Sequence, residues 1–186
     1  MKKLFALVLA MVIVFSFAST VMAAETFTRT NFIPVDLTRA AFVDVIYRAE
    51  SVFNGKDETC ANVFADVETD SYYENAISWA AEKGIVKGVS DTTFDPNTLI
   101  TREQLATMMY RYYEYKGTAP EGAWAIKVEA NDLENVSSYA MEGVMFAVLN
   151  GVLAVDENGN LNPTTPIATE EIQGIVTKLY MDLKRD

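Results

Sequence analysis

The sequence predicts an all-α protein built from repeated helix–loop–helix units. The middle of the chain matches the part that follows it at a shift of 67 residues without a gap, so that Trp79-Ala80 falls on Phe146-Ala147. Self-similarity at a fixed period is the sequence signature of repeat architectures. Apolar residues also recur every three to four positions, as on one face of a helix, and no segment sustains the alternation typical of a strand.

The amino terminus is expected to be a secretory signal peptide that covers residues 1–23. Two lysines precede an apolar run from Leu4 to Ala18, and Val21-Met22-Ala23 fits the pattern of a cleavage site. The uncharged stretch from Leu4 to Ala24 is also long enough to span a bilayer if it is not cleaved. Loss of the two lysines changes the formal charge from −11 to −13 in the mature chain.

A partial first repeat is expected over residues 24–62. Thr38-Arg39 matches Thr101-Arg102 at a spacing of 63. Tyr47-Arg48 matches Tyr110-Arg111 at the same spacing. This region supplies one helix and lacks the first helix of a full unit. Its predicted buried face consists of Phe42, Val45, Ile46 and Phe53.

The second repeat is expected over residues 63–117 and contains two helices joined by a loop. Ser71, with Glu74 three residues later, predicts a capping box at the start of the first helix. Gly84 is expected to end it, because glycine readily adopts the left-handed conformation after a helix. The predicted apolar stripe is Tyr73, Ala76, Ile77 and Ala80.

A loop with the turn signal Asp95-Pro96-Asn97 joins this helix to the second one. Thr101 and Gln104 predict another capping box at the start of the second helix. Gly117 is expected to end it, and residues 118–130 are expected to be a linker. The stripe of the second helix is Leu105, Met108, Met109 and Tyr112.

A divergent third repeat is expected over residues 131–186. Where the earlier units have a threonine and an arginine, this one reads Ala168-Thr169-Glu170-Glu171, so a site for an anion built on this element is expected to be weak. Its loop around Asp156 resembles a calcium loop only in part, because Leu161 stands where the glycine of an EF-hand belongs. We interpret it as an ordinary repeat loop.

The sequence allows several aromatic residues to lie either in the core or on the surface. Trp79 and Phe146 lie beside the apolar stripes at equivalent positions, which favours core packing over stacking on a sugar. Tyr112 is expected in the core. Its neighbours Tyr110, Tyr113 and Tyr115 are candidates for an exposed aromatic surface.

Composition excludes several classes of function. There is no histidine, which removes Ser-His-Asp and Cys-His catalysis and most zinc sites. A chain this acidic is repelled by a phosphate backbone, so nucleic-acid binding is not expected. Cys60 is the one cysteine, so no disulfide forms within the chain. We predict neither an enzyme nor a cofactor.

Arg39 and Arg102 occupy an unusual place, because each directly follows a predicted helix-capping threonine. The dipole of a helix disfavours a cation at its first position. An acidic ligand bound by the guanidinium and the free helix amides explains the arrangement. Local ion pairs are the other interpretation, and their candidate partners are Glu103 or Asp95 for Arg102 and Asp36 for Arg39.

The order of motifs in the second repeat resembles an S-layer homology repeat. That family's pattern runs Phe-x-Asp-Val, Trp, Ala-Ile, Gly-Ile-x-x-Gly, Gly-x-Phe-x-Pro and Thr-Arg-Ala-Glu. The matching residues are Phe64-Ala65-Asp66-Val67, Ala76-Ile77, Gly84-Ile85, Gly88, Phe94-Asp95-Pro96 and Ile100-Thr101-Arg102-Glu103-Gln104.

The resemblance implies a pseudo-threefold helical body that holds an exported protein non-covalently on a bacterial cell wall or cell surface. The implied ligand is a secondary cell-wall polysaccharide, often pyruvylated, bound in grooves between neighbouring repeats. The loop from Gly88 to Thr92 is expected to form a wall of such a groove. The implied carbohydrate-binding residues are Thr38, Arg39, Thr101, Arg102 and Glu103.

A second functional hypothesis comes from the incomplete first repeat. A partner chain, or a second copy of this chain, can complete it. In that case the protein is a structural or protein-interaction module of the cell envelope, and its glycan binding is vestigial.

Overall fold

The computed structural model describes residues 37–55, 59–119 and 128–183. These residues form five α-helices and a short 3-10 helix at Leu133–Asn135, with no β-strand among them, which confirms the all-α prediction. The predicted signal peptide, Asp36 and most of the predicted linker lie outside the described residues. The α-helices are α1 (Arg39–Asn54), α2 (Glu74–Glu82), α3 (Arg102–Tyr115), α4 (Met141–Leu149) and α5 (Thr169–Leu183).

The second repeat contains one predicted capping box and lacks the other. At α3, the Thr101 hydroxyl accepts from the backbone N–H of Gln104, whose side chain accepts from the N–H of Thr101. At α2, the prediction from Ser71 is wrong, because the helix begins after Tyr73 without a side-chain cap. The Glu74 carboxylate accepts instead from the N–H of Asp70, at 2.7 Å.

The helices pack in two groups, and each group brings together helices from different repeats. Helix α1 packs against both α2 and α5, and α3 packs against α4. Helix α1, which belongs to the first repeat, therefore contacts the second and the third repeats. Trp79 and Phe146 are buried, as predicted, at 0% and 3% exposure.

The expected aromatic surface on α3 is not present. Tyr110, Tyr113 and Tyr115 are half-buried. The rings of Tyr110 and Tyr113 lie 5.5 and 5.1 Å from that of Phe146. Tyr115 contacts Trp79 with ring centroids 5.9 Å apart. These tyrosines therefore pack against the aromatic rings of α2 and α4.

In each full repeat, an aspartate carboxylate accepts hydrogen bonds from the backbone of the long loop. The Asp66 carboxylate accepts from the backbone N–H groups of Phe94 and Asp95 at 2.8 and 2.7 Å. Asp132 accepts from those of Leu161 and Asn162, both at 2.7 Å. Desolvation opposes ionisation of Asp66, but the backbone donors and the positive charge of Arg39 together outweigh it, so the pKa of Asp66 lies below its ordinary value.

We expect Asp66→Asn to lower the free energy of unfolding at pH 7 by about 1–2 kcal/mol, because the amide turns a donor toward one of the two N–H groups. Since folding lowers the pKa of Asp66, its contribution is complete above about pH 4 and is lost as the pH falls through the lower folded value. Urea unfolding at pH 7 and at pH 2.5 measures both effects, with the gap between variant and wild type narrowing at the lower pH. Asp70→Asn, at an exposed left-handed position, is the matched control. An equal loss in both variants would contradict the prediction.

Candidate functional site: two arginine grooves

The helix amides beside Arg39 and Arg102 are already occupied. The backbone N–H groups of Arg39 and Ala40 donate to the carbonyls of Thr98 and Pro96, at 2.9 and 3.0 Å. At α3, the N–H groups of Arg102 and Glu103 donate in the same way, at 2.9 Å each, to Thr165 and Pro163. The expectation that free helix amides help to bind an anion is therefore wrong, because the loop of the next repeat satisfies them.

The Arg39 guanidinium sits on the loop of the second repeat. Its Nε donates to the Phe94 carbonyl at 3.0 Å, and its Nη2 donates to the Lys87 carbonyl at 3.3 Å. The guanidinium carbon also lies 4.6 Å from the centroid of the Phe94 ring. Arg39 is only 4% exposed, and burial lowers the pKa of its guanidinium, although an arginine keeps its charge in a protein.

Arg102 makes the same two backbone contacts one repeat further on. Its Nε donates to the Leu161 carbonyl at 2.6 Å, and its Nη2 donates to the Ala154 carbonyl at 2.8 Å. It also makes a third contact, because Nη1 lies 2.5 Å from both carboxylate oxygens of Glu171. An ion pair was one of the two interpretations of this arginine, but its partner is neither Glu103 nor Asp95.

Each arginine opens into a groove between repeats, and the two grooves differ in charge. The Arg39 groove, about 420 Å³, has three basic residues and no acid among the described residues that line it. The Arg102 groove, about 530 Å³, has one basic residue and two acids in the described part of its lining. The Arg39 groove is defined by Arg39, Lys87, Gly88, Gln104, Arg111 and Tyr139, and the Arg102 groove by Arg102, Ala154, Asp156, Asn160, Asn162 and Glu171.

The other predicted site residues serve the framework of the grooves. Thr38 and Thr101 cap α1 and α3, with their hydroxyls turned to the helix amides. Glu103 is 5% exposed, and its carboxylate accepts from the Ser137 N–H at 2.9 Å and from the Tyr139 hydroxyl at 3.0 Å. Burial and the bond to Glu103 raise the pKa of Tyr139 to about 12. Glu103 thus positions Tyr139 at the edge of the Arg39 groove.

The loop after α2 lines the Arg39 groove with Gly88 and Val89 of the expected wall and with Lys87 before it. A Cβ atom at Gly88 would lie 2.3 Å from the Ser90 carbonyl oxygen and 2.4 Å from that of Thr93. The tight loop therefore requires a residue without a side chain at this position. It brings Lys87 and Val89 to either side of the glycine at the groove.

Arg111, Glu171, Lys87 and Tyr139 are among the groove residues that sequence reasoning missed. Arg111 carried a signal, since it belongs to the Tyr-Arg pair that repeats at a spacing of 63. Glu171 also carried one, because it stands 67 residues after Gln104 of the Arg39 groove. Lys87 and Tyr139 had no signal in the local sequence. Only the tertiary fold brings them, from a loop of the second repeat and from the third repeat, to the groove of Arg39.

The described part of the chain holds no cluster of three or more potential metal ligands. None of its helices is both long enough and apolar enough to cross a membrane. The features it does hold are repeated helix pairs and an arginine-based groove between repeats. They define a helical-repeat protein with charged grooves between its repeats.

The family model of the S-layer homology domain matches residues 63–106 and 131–167. The chain therefore carries two segments of the S-layer homology domain family. It is 34% identical to the "Surface-layer 125 kDa protein" of Lysinibacillus sphaericus over 62% of its own length and 10% of that protein. It is 30% identical to an "Amylopullulanase" of Thermoanaerobacterium thermosulfurigenes over 82% of its length and 8% of that protein. A "Cellulosome-anchoring protein" of Acetivibrio thermocellus is 25% identical over 67% of this chain and 28% of its own. The chain thus spans about a tenth of the first two relatives.

Proposed function

We propose that this protein is a non-catalytic module that attaches non-covalently to an acidic secondary cell-wall polysaccharide at the surface of a bacterium. The observation that carries the proposal is the Arg39 groove, where a buried guanidinium and two further cations face a space with no acid among its described lining residues. In this proposal Arg39 binds the glycan. Thr38, Thr101 and Glu103 position the groove, and Arg102 is the equivalent arginine of the second groove.

The charge pattern supports an anionic ligand. The whole chain is acidic, with a formal charge of −11, yet three basic residues converge on one groove. Arginine is well suited to carboxylates because its planar fork donates two parallel hydrogen bonds. A carboxylate on the polysaccharide, such as a pyruvate ketal, is the group that this groove fits. The exposed ring of Tyr139 offers a flat surface for a sugar face beside the charge.

The names of the relatives support attachment over catalysis. The surface-layer and cellulosome-anchoring proteins share this region, and so do relatives named as enzymes. A region common to proteins of such different activities is best explained by a shared location. We therefore place the protein outside the cell, on the wall.

Sedimentation with purified cell walls tests the proposed function. The protein is expected to pellet with intact walls and to stay in solution when the secondary polysaccharide has been extracted. It is also expected to stay in solution when the polysaccharide carboxylates have been reduced to alcohols, because the guanidinium then loses its charged partner. Equal pelleting with all three wall preparations would contradict the acidic ligand. Failure to pellet with any of them would favour the alternative, a module that binds envelope proteins or a second copy of itself.

A further inference from the structure

The two grooves provide an internal comparison, because their arginines make matching contacts. In each groove, Nε and Nη2 of the arginine donate to two loop carbonyls. The accepting residues Phe94 and Leu161 are 67 positions apart in sequence, as are Lys87 and Ala154. What differs is the remaining nitrogen, Nη1, which in Arg102 donates to the Glu171 carboxylate. No carboxylate of the described residues lies within ion-pair distance of Arg39.

The residues that correspond at this point are Gln104 and Glu171, each at the third position of its helix. The Gln104 side chain is neutral and is held back by the capping box, where it accepts from the N–H of Thr101 at 3.3 Å. Glu171 follows Ala168, which has no hydroxyl to form the other half of such a box. The Glu171 side chain reaches across to the arginine of the preceding repeat instead.

We propose that Glu171 is a built-in occupant of the Arg102 groove, where its carboxylate takes the place of the ligand's acid group. The Arg102 groove is then closed to an acidic glycan, and the Arg39 groove is the open one of the two. This inference rests on the proposed function. It also identifies the ligand group as a carboxylate, because the remaining nitrogen of Arg102 donates to a carboxylate in Glu171.

Glu171 has the advantage of a high effective concentration at Arg102. Because the Glu171 carboxylate belongs to the same chain as Arg102, its local concentration at the guanidinium is about millimolar or above. A carboxylate of the polysaccharide competes with it from a lower concentration. Glu171 is also part of a partly buried pair, with its side chain 33% and that of Arg102 9% exposed. Asp156, the other acid of this groove, is not available for the same role. Its carboxylate accepts from the N–H groups of Asn158 and Asn160 within its own loop, at 2.8 and 2.9 Å.

The test removes the Glu171 carboxylate from the Arg102 groove in a protein whose Arg39 groove no longer carries its arginine. Arg39→Gln removes the charge from the Arg39 groove, and Glu171→Gln, added to it, gives the Arg102 groove the neutral residue that the Arg39 groove has in Gln104. Binding to isolated secondary polysaccharide is measured for both proteins after circular dichroism has shown equal helix content. We expect the double variant to bind about tenfold more tightly than Arg39→Gln alone.

Glu170→Gln in the same background is the matched control, because it removes the same charge from an exposed neighbouring position. It is expected to leave binding unchanged. Equal gains from the two substitutions would overturn the inference, since the effect would then be one of net charge. No gain from Glu171→Gln, while the wild-type protein binds, would also overturn it and leave the proposed function standing. If the wild-type protein does not bind, the proposed function itself fails.

The reverse exchange tests the same idea in the otherwise unchanged chain. Thr101→Ala together with Gln104→Glu gives the Arg39 groove the pair of residues that the third repeat has in Ala168 and Glu171, so that no capping box holds the new carboxylate back from Arg39. We expect this variant to bind the polysaccharide about tenfold less tightly than the wild type. Unchanged binding would contradict the role of this position.

Discussion

Replacing Arg39 with glutamine is expected to weaken binding to cell walls by about 10- to 100-fold. Hydrogen bonds to a charged group contribute about 1.5–3 kcal/mol, which corresponds to that range of dissociation constants. Arg39 is buried and its remaining nitrogen has no described carboxylate partner, so its charge is available to a ligand in the groove. Binding isotherms from sedimentation with intact walls measure the effect.

The design must separate binding from folding, because Arg39 also donates to two loop carbonyls. Stability is expected to fall in the variant, so binding is compared well below its melting temperature. Arg48→Gln is the matched control, since it removes the same charge from the same helix. Arg48 is 52% exposed and pairs with Asp44 at 2.6 Å. Wild-type binding by the Arg39 variant, or equal weakening in both variants, would contradict a site at Arg39.

Replacing Gly143 with alanine is expected to lower the melting temperature by several degrees. A Cβ at this position of α4 would lie 2.7 Å from the Thr107 Cα and 2.8 Å from the Thr107 nitrogen. Because both atoms belong to the backbone of α3, neither can turn away and the helices must separate. Over-packing costs about 1–3 kcal/mol, which exceeds the gain of up to about 1 kcal/mol in helix propensity. At about 2–4 °C per kcal/mol, a net loss of 1–2 kcal/mol is measurable by thermal unfolding.

Gly174→Ala provides the control, because a Cβ there meets no atom within 4 Å. Gly174 is exposed on α5, so its replacement is expected to raise stability by about 0.5–1 kcal/mol through helix propensity alone. The two substitutions are the same chemical change in two helices and should differ in sign. A rise in stability for both would show that α3 and α4 do not pack as closely as described.

Local sequence predicted the helices well where the signals lie within one turn. The capping box of Thr101 and Gln104 joins two residues three positions apart and involves no other part of the chain. It is present in the structure. The box expected at Ser71 fails for a reason outside that window. Asp70 has a left-handed backbone, with φ of 65°, and its N–H takes the Glu74 carboxylate that the box requires.

For the candidate site, the sequence predicted the two arginines but missed most of the residues around them. The position of Arg39 and Arg102 directly after a threonine is visible in the sequence. The filled helix amides are not, because their acceptors lie about 60 residues further along the chain. The same holds for Glu171, which is 69 residues from Arg102.

By itself, the sequence determined that this protein is helical, that its units repeat, and that an arginine begins a helix in two of them. These properties depend on neighbours within a few residues, which local periodicity and capping record. Only the tertiary structure decided that one arginine faces an open basic groove while the other is paired with Glu171. The environment of a guanidinium depends on charges that folding brings within a few ångströms, and residues from three repeats supply them here.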